Sequence, residues 1–394
     1  MEDGVWSLKS AMRRLWTDHV LWTRDYVVVA TGGAPMSERL TAIAGEKVVG
    51  AIATPLGGVV SALGHGDAAA VRLLKNQEHI GQSIVPFYGA NAGRALTDLL
   101  KQHIMIAVDL VAAARVADHE KFQVKDVEWT RNAAEIAGFL AGANPNLTRD
   151  DVVDLLGQHL ALTKQEVTAR LETNWPADVE AFDQIFTEIL TVADVLTSAI
   201  AKQFPQRVVS NNGRTAPAQS LTLAMRRLWS DHVIWTRQYL VAAAGERPEA
   251  KPAADRLLKN QDDIGNAVVP FYGDDAGRRL ADLLKQHILI AVDIIDAARK
   301  GEDARFDDAN AKWDRNVEEI AGLLSSANPN WRQPELMDLL MQHLNLTRKE
   351  VSAHLHKQWE GDIEAFDQIL TEILTVSDML SEGIVKQFPA KFSA

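Results

Sequence analysis

Apolar residues recur along most of this chain at intervals of three, four and seven, the spacing that places them on one face of an α-helix. Around position 103, for example, Leu99, Leu100, Ile106 and Leu110 share one face. No stretch shows the sustained apolar–polar alternation of a half-buried strand. The pattern therefore predicts an all-α fold. Helices are expected near 8–30, 67–85, 91–116, 119–141, 148–172 and 176–202, and again near 221–243, 252–269, 275–300, 303–325, 333–357 and 360–386.

Each predicted helix carries one polar residue in the middle of its apolar stripe. Burying such a group costs free energy unless it finds a partner. Mid-helix positions of antiparallel neighbours meet at the same depth, so we expect one buried polar layer in each half of the chain. In chain order the layer residues are His19, Gln77, His103, Asn132, His159 and Glu188 in the first half, and His232, Gln261, His287, Asn316, His343 and Glu372 in the second.

The two halves share identical strings in the same order, such as LLKQHI at 99–104 and 283–288. The period is far longer than a solenoid repeat, so each copy should be a complete domain. The sequence thus predicts a tandem duplication of an antiparallel helical bundle of about six helices. The expected segments are domain 1 at 1–205, a linker at 206–219 and domain 2 at 220–394.

The first half contains an insertion near 36–66. The offset between the copies falls from 213 residues at AMRRLW to 184 at RLLKNQ, so the first half holds 29 extra residues. Within the insertion, residues 48–64 carry no charge, but Pro55 and the short length argue against a membrane span. This apolar run is expected to pack within the protein, to contact another protein or to lie at a lipid interface.

Composition narrows the classes of protein that fit. The chain has 394 residues, of which 47% are hydrophobic and 24% charged, as in ordinary soluble domains. A net charge of −12 argues against a nucleic-acid partner. The absence of cysteine excludes disulfides, thiolate metal sites and cysteine nucleophiles. The N-terminus does not resemble a signal peptide, so we expect a cytoplasmic protein without a transmembrane segment.

The polar layer offers a ligand set for a metal ion. Three imidazoles and a carboxylate suit a divalent transition metal such as Zn, Fe, Mn, Co or Ni. Neutral imidazoles are cheap to bury, and a divalent ion would compensate the buried carboxylate. We expect Gln77, Asn132, Gln261 and Asn316 to support the ligands from outside. The candidate ligands are His19, His103, His159, Glu188, His232, His287, His343 and Glu372.

Other functions for the layer stay open at this point. Its side chains could hydrogen-bond to one another and only fix the packing of a structural or interaction protein. They could also hold a small polar ligand. A metal-dependent enzyme would need an open coordination position. The chain has no HExxH, Walker A or GxGxxG motif, so no reaction is assigned.

The strings LWTDHVLWTR, RLLKNQEHIG, PFYG, ANPN and KQFP resemble an uncharacterised bacterial family of Cys-poor helical-bundle proteins, sometimes labelled glycosyltransferases. The resemblance covers nearly all of both copies except the insertion, and it implies no catalytic residues. The chain itself lacks the alternating strand–helix pattern of nucleotide-sugar enzymes. In architecture, one histidine per core helix resembles the DinB-like and hemerythrin-like bundles, which implies a buried metal.

Overall fold

The computed structural model describes residues 4–32, 64–208 and 215–393. These ranges contain helices and no strand, which confirms the all-α prediction. The chain divides into two compact units, unit 1 (Met1–Asn212) and unit 2 (Gly213–Ala394), and the division falls inside the predicted linker. The insertion predicted near 36–66 lies outside the described residues, apart from its last three positions.

The described part of unit 1 has five α-helices and that of unit 2 has six. From α3 onward, each helix of unit 1 has a counterpart in unit 2 whose bounds are 184 residues higher. The helices of unit 1 are α1 Gly4–Thr31, α2 His65–Arg115, α3 His119–Ala143, α4 Arg149–Leu171 and α5 Trp175–Gln203. Those of unit 2 are α6 Ala216–Ala244, α7 Ala250–Tyr272, α8 Asp274–Lys300, α9 Asp303–Ala327, α10 Gln333–Leu355 and α11 Trp359–Gln387.

The two helices predicted at 67–85 and 91–116 form the two arms of α2, which is kinked at Gly89. This glycine has a φ of 83°, in the region that is costly for residues with a side chain. Its counterpart Gly273, with a φ of 82°, separates α7 from α8. Both units therefore turn the chain at the same place by the same backbone geometry.

Polar residues define where several helices begin. Thr148 Oγ1 accepts a hydrogen bond of 3.1 Å from the backbone N–H of Asp151 at the start of α4. Asp118 Oδ1 accepts one of 3.0 Å from the N–H of Lys121 at the start of α3. These contacts satisfy backbone donors that have no partner within the helix. Short connections between the helices, together with these capped N-termini, keep the mid-helix residues at a common depth.

The helices of each unit form a closed ring. Each helix packs against the one before it and the one after it, and the last packs against the first. Their apolar faces meet inside this ring, where Leu21, Phe182 and Ile189 are fully buried in unit 1. Side chains near the middle of each inner face therefore point towards one another.

Helix α5 is long and apolar enough to cross a membrane by length and composition. It is also a core helix, since 56% of its most apolar stretch of 18 residues is buried within the protein. The core helix of a protein outside a membrane can have the same length and composition. The described residues thus contain no clear transmembrane segment.

Candidate metal centre

Three imidazoles meet at the centre of unit 1. The ring centroids of His19 and His159 are 5.5 Å apart, those of His103 and His159 are 6.4 Å apart, and those of His19 and His103 are 6.5 Å apart. All three side chains are buried. They come from α1, α2 and α4, so the ring of helices brings together residues that are distant in sequence.

The same arrangement occurs in unit 2. The ring centroids of His232, His287 and His343 lie 5.7 to 6.3 Å apart. One ring nitrogen from each lies within 4.8 Å of the others, which is close enough for a shared metal ion. The six histidines singled out in the sequence therefore converge into two groups of three.

Five of the six imidazoles form a hydrogen bond with a polar residue on the next helix of the ring, 29 residues further along the chain. In every hydrogen bond of this kind, Nδ1 is the ring nitrogen that takes part. The pairs are His103 with Asn132 Oδ1 at 2.9 Å, His159 with Glu188 Oε2 at 3.1 Å, His232 with Gln261 Oε1 at 3.3 Å, His287 with Asn316 Oδ1 at 3.0 Å and His343 with Glu372 Oε2 at 3.1 Å.

The sixth pair, His19 and Gln77, is looser. The insertion doubles its spacing in sequence, and Gln77 Oε1 and His19 Nδ1 each lack a hydrogen-bond partner. The amide nitrogen of Gln77 still donates to Leu73 O at 2.8 Å, as its counterpart Gln261 does to Leu257 O at 2.7 Å. The side chain is thus held in the same orientation in both units.

Backbone contacts fix which atom of each amide faces the imidazole. The Nδ2 of Asn132 donates to Leu99 O at 3.1 Å, and that of Asn316 donates to Leu283 O at 3.0 Å. With the nitrogen committed to a carbonyl, the amide oxygen faces His103 or His287 and can only accept. Nδ1 must therefore carry the proton, and Nε2 keeps its lone pair.

The glutamates face the other two imidazoles in the same way. Glu188 Oε2 lies at hydrogen-bond distance from Nδ1 of His159, and Glu372 Oε2 from Nδ1 of His343, where each oxygen can accept an Nδ1 proton. The ligand group of unit 2 consists of its three imidazoles, without the glutamate. Glu188 and Glu372 therefore share the position of the amide partners, and the expectation that they are ligands stays a prediction.

Burial lowers the pKa of His19, His103, His232 and His287, which favours their neutral form. Burial, and secondarily the neighbouring His159, lowers the pKa of His103 to about 3. Burial and the neighbouring His343 do the same to His287, whose pKa is also about 3. Burial likewise holds the pKa of His19 well below its usual range. A neutral ring that donates Nδ1–H outward presents Nε2 as an electron-pair donor.

Indole rings close the sides of the centre. The Trp16 ring lies edge-on to His19, with centroids 5.5 Å apart, and the Trp129 ring lies 5.1 Å from that of His103. Trp229 and Trp313 take the same positions in unit 2. These large apolar surfaces exclude water, so electrostatic interactions at the centre are stronger than in solvent.

A second buried polar cluster lies on one side of the layer in unit 1. Arg24 donates to Glu166 Oε1 at 2.8 Å and to both oxygens of Asp178 at 2.5 and 2.8 Å. Arg170 donates to Asp178 Oδ2 at 2.9 Å. The two cations balance the two carboxylates, so this cluster neutralises itself and needs no metal.

The matching cluster of unit 2 replaces one cation. Arg237 bonds Glu350 Oε1 at 2.7 Å and Asp362 Oδ2 at 3.0 Å, while His354 stands in the position of the second arginine. Burial alone would raise the pKa of Asp362, but Arg237 and His354 lower it to about 2. The ion cluster is therefore kept in both units with different components.

The pairing is visible in the sequence once the structure is known. All six histidines end a Leu-(Leu/Trp)-x-(Gln/Asp)-His string. These strings begin at Leu15, Leu99, Leu155, Leu228, Leu283 and Leu339. Each unit is thus three helical pairs, and each pair supplies one imidazole and the residue that orients it.

Comparison of the chain with protein-family models, with curated proteins and with solved structures found no match. The family resemblance expected from the sequence therefore stays a prediction.

Proposed function

We propose that the protein binds one divalent transition-metal ion in each unit, through the Nε2 atoms of three histidines. The observation that carries this proposal is the orientation of the Nδ1 partners. Asn132 and Asn316 are held by backbone carbonyls so that their oxygens face the imidazoles. Metal-ligating histidines characteristically donate their other N–H to such an oxygen, which fixes the tautomer and the ring orientation.

A self-contained hydrogen-bond network explains the centre less well. Within the described residues, no hydrogen bond engages the Nε2 of these six histidines. A network of this kind leaves the Nε2 lone pairs without a donor from the protein, and a buried acceptor without a donor costs free energy. A cation satisfies all three at once.

The donor set indicates which ions fit. Three imidazole nitrogens suit Zn, Fe, Mn, Co or Ni, and leave at least one coordination position open. The carboxylate behind His159 or His343 offsets one of the two positive charges and makes that imidazole more basic. An open position is also what a metal-dependent enzyme requires, so this alternative stands on the same centre with its reaction unassigned.

The test is the metal content of the full chain, purified without added metal and measured by elemental analysis. We expect two equivalents per chain. The His103→Gln and His287→Gln variants should each retain one, and the double variant none. His119→Gln is the matched control, because His119 is exposed and should leave both equivalents in place.

A second measurement guards against a variant that fails to fold. Cobalt(II) added to the metal-free wild type should give visible absorption bands that saturate at two equivalents. Circular dichroism reports whether each variant keeps its helices. A wild type that neither contains metal nor binds cobalt would contradict the proposal.

A further inference from the structure

Unit 1 contains a cavity of about 40 Å³ beside its histidine layer, which we call the chamber. It lies on the opposite side of the layer from the Arg24 cluster. The chamber is defined on the side of the layer by Trp16, Leu100 and Val192, and at its far end by Tyr88, Leu147 and Ile200.

The chamber begins one helical turn from the imidazoles. Trp16 stands three residues before His19, and Leu100 stands three residues before His103. Residues three apart on a helix share a face, one turn from each other. A molecule in the chamber would thus be separated from the centre by a single ring of side chains.

The chamber is lined by apolar atoms. The Tyr88 hydroxyl, at its far end, donates to Gln203 Oε1 at 2.8 Å and accepts from Asn144 Nδ2 at 2.9 Å. These polar groups satisfy one another and offer nothing to an occupant. A water molecule takes about 30 Å³ in the liquid and needs polar partners, whereas dry apolar cavities bind apolar molecules and xenon. The size and the lining point to an apolar molecule of two or three heavy atoms.

Unit 2 fills the corresponding place with an indole. Trp331 stands at the position of Leu147, and Gly383 at the position of Ala199. A Cβ on Gly383 would overlap the Trp331 ring, so the glycine makes room for the indole. Trp331 is 2% exposed, and its ring lies 5.5 Å from that of Tyr272. The Trp331 ring thus occupies the room that Gly383 leaves.

We propose that unit 1 takes a small apolar molecule into the chamber beside its metal centre, and that Trp331 fills the same space in unit 2. The two centres would then have the same ligands, but only that of unit 1 would have a chamber beside it. This inference rests on the proposed function for the metal that the molecule approaches. The chamber itself does not depend on it.

The probe is xenon, whose binding to the full chain is followed by 129Xe NMR. We expect one saturable site in the wild type. The Leu147→Trp/Ala199→Gly variant copies unit 2 into unit 1 and should abolish the site. The Trp331→Leu/Gly383→Ala variant copies unit 1 into unit 2 and should give two sites. A chain carrying all four changes is the matched control and should return to one.

Unchanged xenon stoichiometry across these variants would overturn the inference. Loading with manganese(II) then separates it from the proposed function. A paramagnetic ion at the histidines should accelerate the relaxation of bound xenon severalfold in the wild type, but not in His103→Gln. If the xenon site follows the variants while manganese has no effect, the chamber stands and the metal proposal fails. If manganese binds the centre and xenon does not bind the chamber, the reverse holds.

Discussion

The two units agree at the histidine layer and differ on either side of it. All six layer residues are of the same type and in the same order in both. On one side, Arg170 of unit 1 becomes His354 in unit 2, within the buried ion cluster. On the other side, Leu147 becomes Trp331.

This difference separates two kinds of requirement. In five of the six pairs of the layers the imidazole and its partner satisfy each other, and a buried donor or acceptor that loses its partner is costly. The flanking regions need only have balanced buried charges and well-packed side chains. Several combinations of side chains meet these two requirements. Changes in the flanks should therefore alter stability and access, while changes in the layer should alter metal binding.

The largest expected effect tests the ion clusters. Arg24→Met leaves Glu166 and Asp178 without their main cation, so the free energy of unfolding should fall by about 3–5 kcal/mol. Urea unfolding of the full chain measures this, and Arg237→Met should have a similar effect in unit 2. The control is Arg131→Met, which removes an exposed pair with Glu135 and should cost less than about 1 kcal/mol. Equal losses for Arg24 and Arg131 would contradict the role of the cluster.

The next effect tests whether Glu188 supports a ligand or is one. Glu188→Gln keeps an oxygen for the Nδ1 proton of His159 but removes the charge, so metal affinity in unit 1 should fall about 10–100-fold. Competition with a chelator measures it, with unit 2 as the internal reference. Glu180→Gln, at an exposed position on the same helix, should change nothing. Complete loss of the metal from unit 1 would instead make Glu188 a direct ligand.

The third effect is a pH dependence shared by both units. Burial lowers the pKa of His103 and His287 to about 3, against about 6.5 in the unfolded chain. Between these values the unfolded chain binds more protons, so the free energy of unfolding of metal-free protein should fall as the pH drops below about 6.5. The slope is at most about 1.4 kcal/mol per pH unit for each histidine.

Urea unfolding between about pH 5 and 8 measures this slope, and replacing His103 and His287 by asparagine should flatten it. The same profile in wild type and variant would mean that these histidines are not buried in the neutral form.

The smallest effect concerns the chamber. Filling about 40 Å³ in the Leu147→Trp/Ala199→Gly variant should raise the stability of unit 1 by about 1 kcal/mol, at roughly 24 cal/mol per Å³ of cavity. Leu147→Trp alone should destabilise, because the Cβ of Ala199 occupies the place of the indole. A double-mutant cycle measures this coupling. Additive effects would show that the two positions do not act together.

Periodicity predicted the fold and the residues of the layer, because a polar group inside an apolar stripe is conspicuous. It did not predict the hydrogen bond between Glu188 and His159, since a carboxylate among histidines is a reasonable ligand by composition. The spacing of 29 residues from His103 to Asn132 and from His159 to Glu188 would have indicated that Asn132 and Glu188 have equivalent positions.

Two further features depend on packing that sequence patterns do not contain. The sequence predicts a helix end near residue 85, yet α2 continues through Pro86 to the kink at Gly89. The chamber exists because the side chains around Leu147 do not quite fill the space between helices. Only the paired change to Trp331 and Gly383 in the second copy gives a sign of it.

The arrangement of three helical pairs around each centre has one more consequence. Three imidazoles surround the centre of unit 1, but their partners are not alike. Glu188 is a carboxylate, whereas the other partners are amides. An ion held there would not see three equal bonds, since the imidazole of His159 donates more electron density than the other two. The three gaps between the imidazole rings would then differ in polarity. An incoming molecule would therefore meet approaches to the ion that are not equivalent.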